Sequence, residues 1–366
     1  MGLYSRQLQT HFEHVTKSLY NPAAENIKVE NPSTSEEVTL RGVKGLGHTG
    51  SKFHRQQRVN CDSLFQAIFS FCLIMMEIPV FTLDAFTNLR FKGNPAAVCP
   101  LMHELSDDLY QRIAAEMNLA ETAFITRINP SDNFTTGSRF RLRWFTPTTE
   151  VNLCGHATLA SAAVLFKYKK NVNPKLVFET RSGDLAVAQQ GDGYIMDFPL
   201  NPPTQQDANE FRDLIKTAVG NHPIQGVYLS ANTKKLMVRL ADSHDSSVLS
   251  TLKVDPVALQ RSETSGRVKG IIITMKESPD CQKGYDFYSR YFAPWNGIPE
   301  DPVTGSAHTV LGSYWSKELG KKKMLAYQCS SRGGELELEV RDDGRINIAG
   351  QTVTVLQGTI TIATDQ

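Results

Sequence analysis

The feature that most constrains this chain is that it repeats its own landmarks. Arg143-Trp-Phe-Thr-Pro147 recurs as Arg290-Tyr-Phe-Ala-Pro294, an offset of 147. Glu150-Val-Asn-Leu-Cys-Gly-His-Ala157 lies over Glu300-Asp-Pro-Val-Thr-Gly-Ser-Ala307 at an offset of 150. Arg181-Ser-Gly-Asp-Leu185 returns as Arg332-Gly-Gly-Glu-Leu336, and Asp192-Gly-Tyr-Ile195 as Asp343-Gly-Arg-Ile346, both at 151. Landmarks kept in one order at nearly constant spacing mark an internal duplication. Each half also carries an uncharged segment, residues 157–166 and 306–315, apolar or small on every side. A helix of that kind is buried all round rather than half-exposed. The pattern predicts a duplicated α+β domain related by a pseudo-two-fold, with β-rich sequence bracketing one buried helix in each half.

At 366 residues the chain has room for two such cores. The expected division is an N-terminal extension over 1–75, a first domain over 76–189 and a second over 190–351. Residues 352–366 then form a C-terminal strand and tail returning to the first domain. Residues 1 to about 63 are polar, mixed in charge and without a sustained period, which reads as loop or disorder. The start, Met1-Gly-Leu-Tyr-Ser-Arg6, nearly matches a myristoylation signal, but Arg6 stands where Ser or Thr is wanted. The apolar run 64–76 falls short of the about 20 residues a membrane span needs and lies too deep for a secretory signal. The folded protein is expected to begin at Met76.

Net charge narrows the partners. With 39 basic and 38 acidic residues the formal charge is +1, which argues against nucleic acid or an anionic membrane surface. The six cysteines (Cys61, Cys72, Cys99, Cys154, Cys281, Cys329) are far apart with no CxxC pair. That gives neither a disulfide framework nor a zinc signature, and a reducing, cytoplasmic setting is expected. The nine histidines lack the spacing of a metal-binding helix, and no cofactor motif is present.

Within the body, alternation predicts strands over 77–84, 122–127 and 140–145. Phe140, Leu142 and Trp144 fall on one face of the last, Arg139, Arg141 and Arg143 on the other. Ser106 is placed to cap a helix with Asp107 and Asp108 in its first turn, Leu109, Ile113 and Met117 as its stripe, and Asn118 at its end.

A duplication keeps what the scaffold needs in both halves, so the differences are informative. Gly155 and Gly305 match, each in the first turn of a buried helix, where free N–H groups and the helix dipole favour a carboxylate. A pseudo-two-fold can set both helix N-termini on one cleft. His156 is matched by Ser306, Cys154 by Thr304 and Val151 by Asp301. Asp301, in an Asp-Pro turn, is either a structural turn residue or a functional acid. Glu121, flanked by Ala120, Ala123 and Phe124, is either a solvated turn glutamate or a partly desolvated acid suited to proton exchange.

At these residues the sequence resembles the PhzF family of phenazine biosynthesis-like isomerases, over about residues 76–362. The resemblance rests on Asp84-Ala-Phe-Thr87, Phe91-Lys-Gly-Asn-Pro95, Asn118-Leu-Ala-Glu-Thr-Ala-Phe124, Leu153-Cys-Gly-His-Ala-Thr158 and Glu300-Asp-Pro-Val-Thr-Gly-Ser-Ala307. It implies a fold like diaminopimelate epimerase: two similar domains, each a sheet rolled around a central helix, with the active site in the cleft between them. It also implies cofactor-free acid/base chemistry on a small carboxylate-bearing substrate. By motif the catalytic glutamate falls on Glu121, the histidine on His156 and the aspartate on Asp301. The serine falls on Ser306, and backbone amides line the site at Gly155 and Gly305. Family analogy adds a homodimer. The related two-base epimerases use a cysteine in each half, whereas here Thr304 faces Cys154, and a threonine hydroxyl is a far poorer base than a thiolate. Two rivals remain open: a catalytically silent ligand-binding or protein-interaction module on the same fold, and thiol chemistry at Cys154-Gly-His156.

Overall fold

The computed structural model describes residues 26–30, 37–41, 75–242, 247–276 and 284–363. Within the unit formed by residues 1–66 these comprise one antiparallel hairpin, β1 (Asn26–Glu30) against β2 (Glu37–Arg41). At these ten positions the structure has paired strands where the sequence reads as loop or disorder, and the remainder of that stretch lies outside the described residues. Ile27 and Val29, like Val38 and Leu40, alternate with polar residues over only five positions, too few for the period to stand out. The start of the chain and residues 64–74 of the apolar run lie outside the described residues.

The second unit carries the repeat. Its first set of elements is β3 (Met75–Ala85), β4 (Asn94–Leu101), α1 (Asp107–Met117), β5 (Glu121–Arg127) and β6 (Arg139–Phe145). It continues with β7 (Glu150–Val151), α2 (Gly155–Lys167), β8 (Lys175–Thr180), β9 (Gly183–Gln190) and β10 (Gly193–Pro199). The second set is β11 (Thr204–Gln205), α3 (Arg212–Val219), β12 (Ile224–Ser230), β13 (Lys235–Leu240), α4 (Ser247–Thr251), α5 (Pro256–Ser262) and β14 (Gly270–Lys276). It runs on through β15 (Phe287–Ala293), β16 (Ile298–Asp301), α6 (Gly305–Glu318), β17 (Lys323–Gln328), β18 (Gly334–Val340), β19 (Arg345–Gly350) and β20 (Thr352–Ala363).

The pairing repeats as closely as the landmarks do. β3–β4 and β12–β13 are antiparallel, and β4–β5 and β13–β14 parallel. β5–β6 and β14–β15 are antiparallel, and β6–β8 and β15–β17 parallel. Parallel neighbours need a crossover, and the helices supply it: α2 between β6 and β8, α6 between β15 and β17. The two sets join where β10 pairs with β19, and β20 runs back along β3 from Thr352 opposite Ala85 to Ala363 opposite Met75.

The repeated landmarks have a physical reason. Arg143 grips Glu150 through two bonds of 2.8 Å, and Arg290 grips Glu300 through bonds of 2.7 and 2.8 Å. Each forked pair ties a strand to the short β7 or β16 segment that leads into its helix, a geometry only arginine and a carboxylate provide. Both helices are buried over most of their length. Every residue of α2 from Gly155 to Phe166 is buried, as are Ala307 to Trp315 of α6, inside a core shared with Phe81, Trp144, Phe178, Met196, Phe287 and Leu338. The α+β class, with a helix enclosed by strands in each repeat, is the fold expected from the sequence.

Around this centre the local expectations are met with one shift. Ser106 caps α1 by accepting from the Leu109 amide, and Asn118 ends it in the left-handed region at φ 48°. The buried stripe is Tyr110, Ile113 and Ala114 rather than Leu109, Ile113 and Met117. The tyrosine ring, packed 4.7 Å from Phe124 and 5.4 Å from Phe145, turns the helix toward itself.

Candidate functional site

The two helices meet at their N-termini. A Cβ built on Gly155 would lie 3.5 Å from the Gly305 Cα, and one built on Gly305 would lie 3.7 Å from the Gly155 Cα. The free amides of both first turns therefore open onto one place. His156 follows Gly155 and is 4% exposed, while Glu121, the first residue of β5, is 6% exposed. Glu121 is thus no solvated turn residue. Its Oε2 lies 3.1 Å from His156 Nε2, an ion-pair contact without the linear N–H···O of a good hydrogen bond. Both atoms keep bonding capacity for a third group.

Asp301 closes the site from the second repeat. It is 7% exposed, and its carboxylate accepts from Asn94 Nδ2 at 2.6 Å and from Thr304 Oγ1 at 2.5 Å. Gln328 holds the surrounding backbone, donating to the Asp301 carbonyl at 2.6 Å and accepting from the Thr304 amide at 2.9 Å. Ser306 sits half-buried in the first turn of α6. Glu121, His156, Asp301, Gly155, Gly305 and Ser306, scattered from residue 121 to residue 306 of the sequence, are thus gathered around the two helix ends.

Sequence reasoning missed Asn94. Fully buried at the start of β4, it reaches Asp301, the Val303 carbonyl at 2.9 Å and His156 Nδ1 at 3.0 Å. Its amide has two protons for these three acceptors. When Asp301 and Val303 take both, Nδ1 of His156 is left to the Cys154 thiol at 3.5 Å. The signal was available in Phe91-Lys-Gly-Asn-Pro95, used only as a landmark of the resemblance. That turn is fixed by its glycine: Gly93 has φ +64°, and a Cβ there would strike the Ala85 carbonyl oxygen at 2.2 Å. Asp84, 1% exposed, braces the same turn by accepting from the Phe91 amide at 2.7 Å and from Arg332 at 2.6 Å.

The electrostatics separate the roles. Burial opposes charge on His156, but the neighbouring Cys154 and Glu121 outweigh it and hold the imidazole well above its ordinary range. Cys154 is itself pushed up to about 11 by burial and by Glu121, so at neutral pH it keeps its proton. A buried neutral thiol is a poor nucleophile, which weighs against the thiol rival. Burial, reinforced by Glu121, raises Asp301 to about 6 against the opposing pull of His156, Thr304 and Asn94. Glu121, Cys154 and His156 lie close enough together to suggest a metal site. They do not fit one: Cys154 faces Nδ1 and Glu121 faces Nε2, with the imidazole ring between them. A cavity of about 630 Å³ opens elsewhere, lined by Lys92, Asp192, Tyr327, Arg332 and Glu337 among others. Converging, incompletely bonded buried groups outweigh mere volume in locating chemistry, and that cavity has no comparable cluster.

Residues 83–358 match the family model described as phenazine biosynthesis-like protein. The chain belongs to that family. The phenazine biosynthesis-like domain-containing protein of Homo sapiens is 56% identical over 287 residues, 78% of this chain and 100% of the relative. An uncharacterized isomerase of Halalkalibacterium halodurans is 41% identical over 284 residues, 77% of this chain and 98% of the relative. Among solved structures, a PhzF family protein from Enterococcus faecalis superposes with a TM-score of 0.68 at 37% identity, covering 78% of this chain and 99% of its own. A predicted epimerase from Pseudomonas aeruginosa shares the fold at a TM-score of 0.55 and 20% identity. The diaminopimelate-epimerase-like duplication implied by the resemblance is therefore the fold of this phenazine biosynthesis-like family member. No helix among the described residues is long and apolar enough to cross a membrane.

Proposed function

We propose that the protein is a cofactor-independent isomerase that moves a proton within a small carboxylate-bearing substrate. The observation that carries this reading is the Glu121–His156 contact of 3.1 Å, buried, imperfectly bonded and set against two helix N-termini. The substrate carboxylate would bind the first-turn amides at Gly155 and Gly305 with the Ser306 hydroxyl. Glu121 would take a proton from one carbon, leaving its electron pair on the substrate, and return it to another carbon. His156 and Asp301 would hold and polarise the substrate while that pair is delocalised. Proton and electrons balance within the substrate, so the step requires no acceptor. Acid/base transfer of this kind contributes roughly 10²–10⁴-fold, leaving fixed dipoles and charges to supply the remainder. The same proposal takes 76–189 and 190–351 as the two domains whose cleft is the site.

The silent-module reading draws on one observation: Glu121, His156 and Asp301 are only 4–7% exposed, so a ligand must open the site to reach them. One experiment separates the two. Full-length protein is incubated with unsaturated and cyclic carboxylates in deuterated water, beside Glu121→Gln, and carbon-bound exchange is followed by NMR. Exchange that disappears in the variant is expected. Exchange indifferent to Glu121 defeats the assigned role, and its absence from every candidate favours the module.

A further inference from the structure

The matching strand registers set a difference in charge between the two repeats beside Glu121. The β4–β5 register sets Ala96 opposite Glu121, and the β13–β14 register sets Lys235 opposite Gly270. On the neighbouring strand, Trp144 of the first repeat becomes Tyr291 of the second. Where the first repeat offers alanine, an acid and an indole, the second offers a lysine, no side chain and a phenol. The missing side chain matters, because a Cβ on Gly270 would strike the Tyr291 hydroxyl at 2.2 Å. Tyr291 therefore occupies the space that Glu121 fills in the first repeat.

Lys235 is only 8% exposed. Its ammonium lies over the Tyr291 ring, 5.7 Å from the centroid, and within Coulombic reach of Asp301. Among the described residues no carboxylate stands at ion-pair distance from it and no acceptor at hydrogen-bonding distance. Elsewhere a buried ammonium is paired, because taking it out of water without a partner is costly. Here the register equivalent is a fully buried Ala96, so the scaffold does not require a lysine. Each repeat thus contributes one acid and one cation: Glu121 with His156 from the first, Asp301 with Lys235 from the second. Of the two cations, only Lys235 lacks a carboxylate in contact.

We propose that Lys235 binds a second anionic group of the substrate, so that the site selects small dicarboxylates over monocarboxylates. One carboxylate occupies the helix-terminal amides and the other reaches the Lys235 ammonium on the β13 side. This rests on the reading of the paired helix ends as a carboxylate site. The groups facing Lys235 are Asp301 from β16 and Tyr291 from β15, while Ser230 of β12 and Gly270 of β14 carry no charge. Burial brings Lys235 down to about 8 against the pull of Asp301.

The test is calorimetric titration of the full-length protein with succinate and with butyrate. Succinate is expected to bind at least tenfold more tightly than butyrate. Lys235→Met should lose that advantage while binding butyrate within twofold of wild type, and circular dichroism should show it folded. On the wild type alone, succinate affinity should fall as pH is raised past 8, whereas Lys235→Arg should bind succinate with no such fall. Succinate binding no tighter than butyrate, or undiminished in Lys235→Met, overturns the proposal. Glu121→Gln distinguishes this from the isomerase reading, since it should bind succinate yet exchange nothing. Binding that ignores Lys235 while exchange depends on Glu121 defeats only the dicarboxylate inference. Binding that follows Lys235 with no exchange on any substrate defeats only the isomerase.

Discussion

Gly155 and Gly305 face one another so closely that a Cβ on the first would lie 3.5 Å from the Cα of the second. That separation is ordinary van der Waals contact, so a single alanine fits. Gly155→Ala should fold with stability within about 1 kcal/mol of wild type, since neither glycine has a positive φ and alanine is the better helix former. It should nevertheless lower exchange activity by placing a methyl group against the amides. The double variant with Gly305→Ala asks both methyls to share one gap. A coupling of about 1 kcal/mol or more is expected in a double-mutant cycle by urea denaturation, and strict additivity would contradict the contact.

The acid and the thiol are distinguished by substitution. Glu121→Gln should reduce deuterium exchange by about 10²-fold or more. Cys154→Ser should leave most of it, because the thiol is pushed up to about 11 and serves only as a neighbour of His156 Nδ1. Exchange lost as completely in Cys154→Ser as in Glu121→Gln would return the chemistry to sulfur.

Two buried groups should pull stability in opposite directions with pH. Asp301 is raised from 3.8 to about 6 in the fold, chiefly by burial, so it favours the native state below pH 3.8 and loses that contribution as pH rises through 6. His308 is fully buried, bonded through Nδ1 to the Thr304 carbonyl at 2.7 Å, and lowered from 6.5 to about 4 by burial. It favours the native state above pH 6.5 and loses that contribution as pH falls through 4. Between pH 4 and 6.5 the two largely offset in the wild type. Asp301→Asn should expose the histidine's loss on acidification, and His308→Gln the aspartate's gain, each on the order of 2–3 kcal/mol. Melting temperatures across that range check both signs, and parallel curves for the two variants would refute the assignment.

The bracket between Asp84 and Arg332 should matter to both fold and site. Arg332→Ala leaves Asp84 buried without its cation and frees the turn that aims Asn94. A loss of about 1–3 kcal/mol is expected by urea denaturation, given that the arginine is partly exposed. Exchange activity should fall as well. Asn94→Asp should be worse for activity than for folding, since it sets a second carboxylate against Asp301.

Much of this was legible in the chain. The repeat of Arg143 with Glu150 as Arg290 with Glu300 announced a duplicated scaffold, because a forked ion pair constrains both residues at a fixed spacing. The uncharged segments announced buried helices, and Gly155 over Gly305 announced equivalent helix starts. Other parts were not legible. The β1–β2 hairpin rests on five-residue alternations, and the buried face of α1 was turned by an aromatic cluster drawn from distant strands. Asn94 stood only within a turn motif, and its partner Asp301 lies more than 200 residues away, so the motif marked the position without revealing the contact.

What the sequence determined by itself was periodicity and repetition: which segments are buried helices, which alternate as strands, and that the halves are copies. These follow from local spacing and from comparison of the chain with itself. Only the tertiary structure decided that Glu121 meets His156, that Asn94 bridges to Asp301, and that Lys235 lies buried with no carboxylate among the described residues in contact. Such facts depend on strand register and on the desolvation that follows packing, and neither is a property of any single stretch of chain.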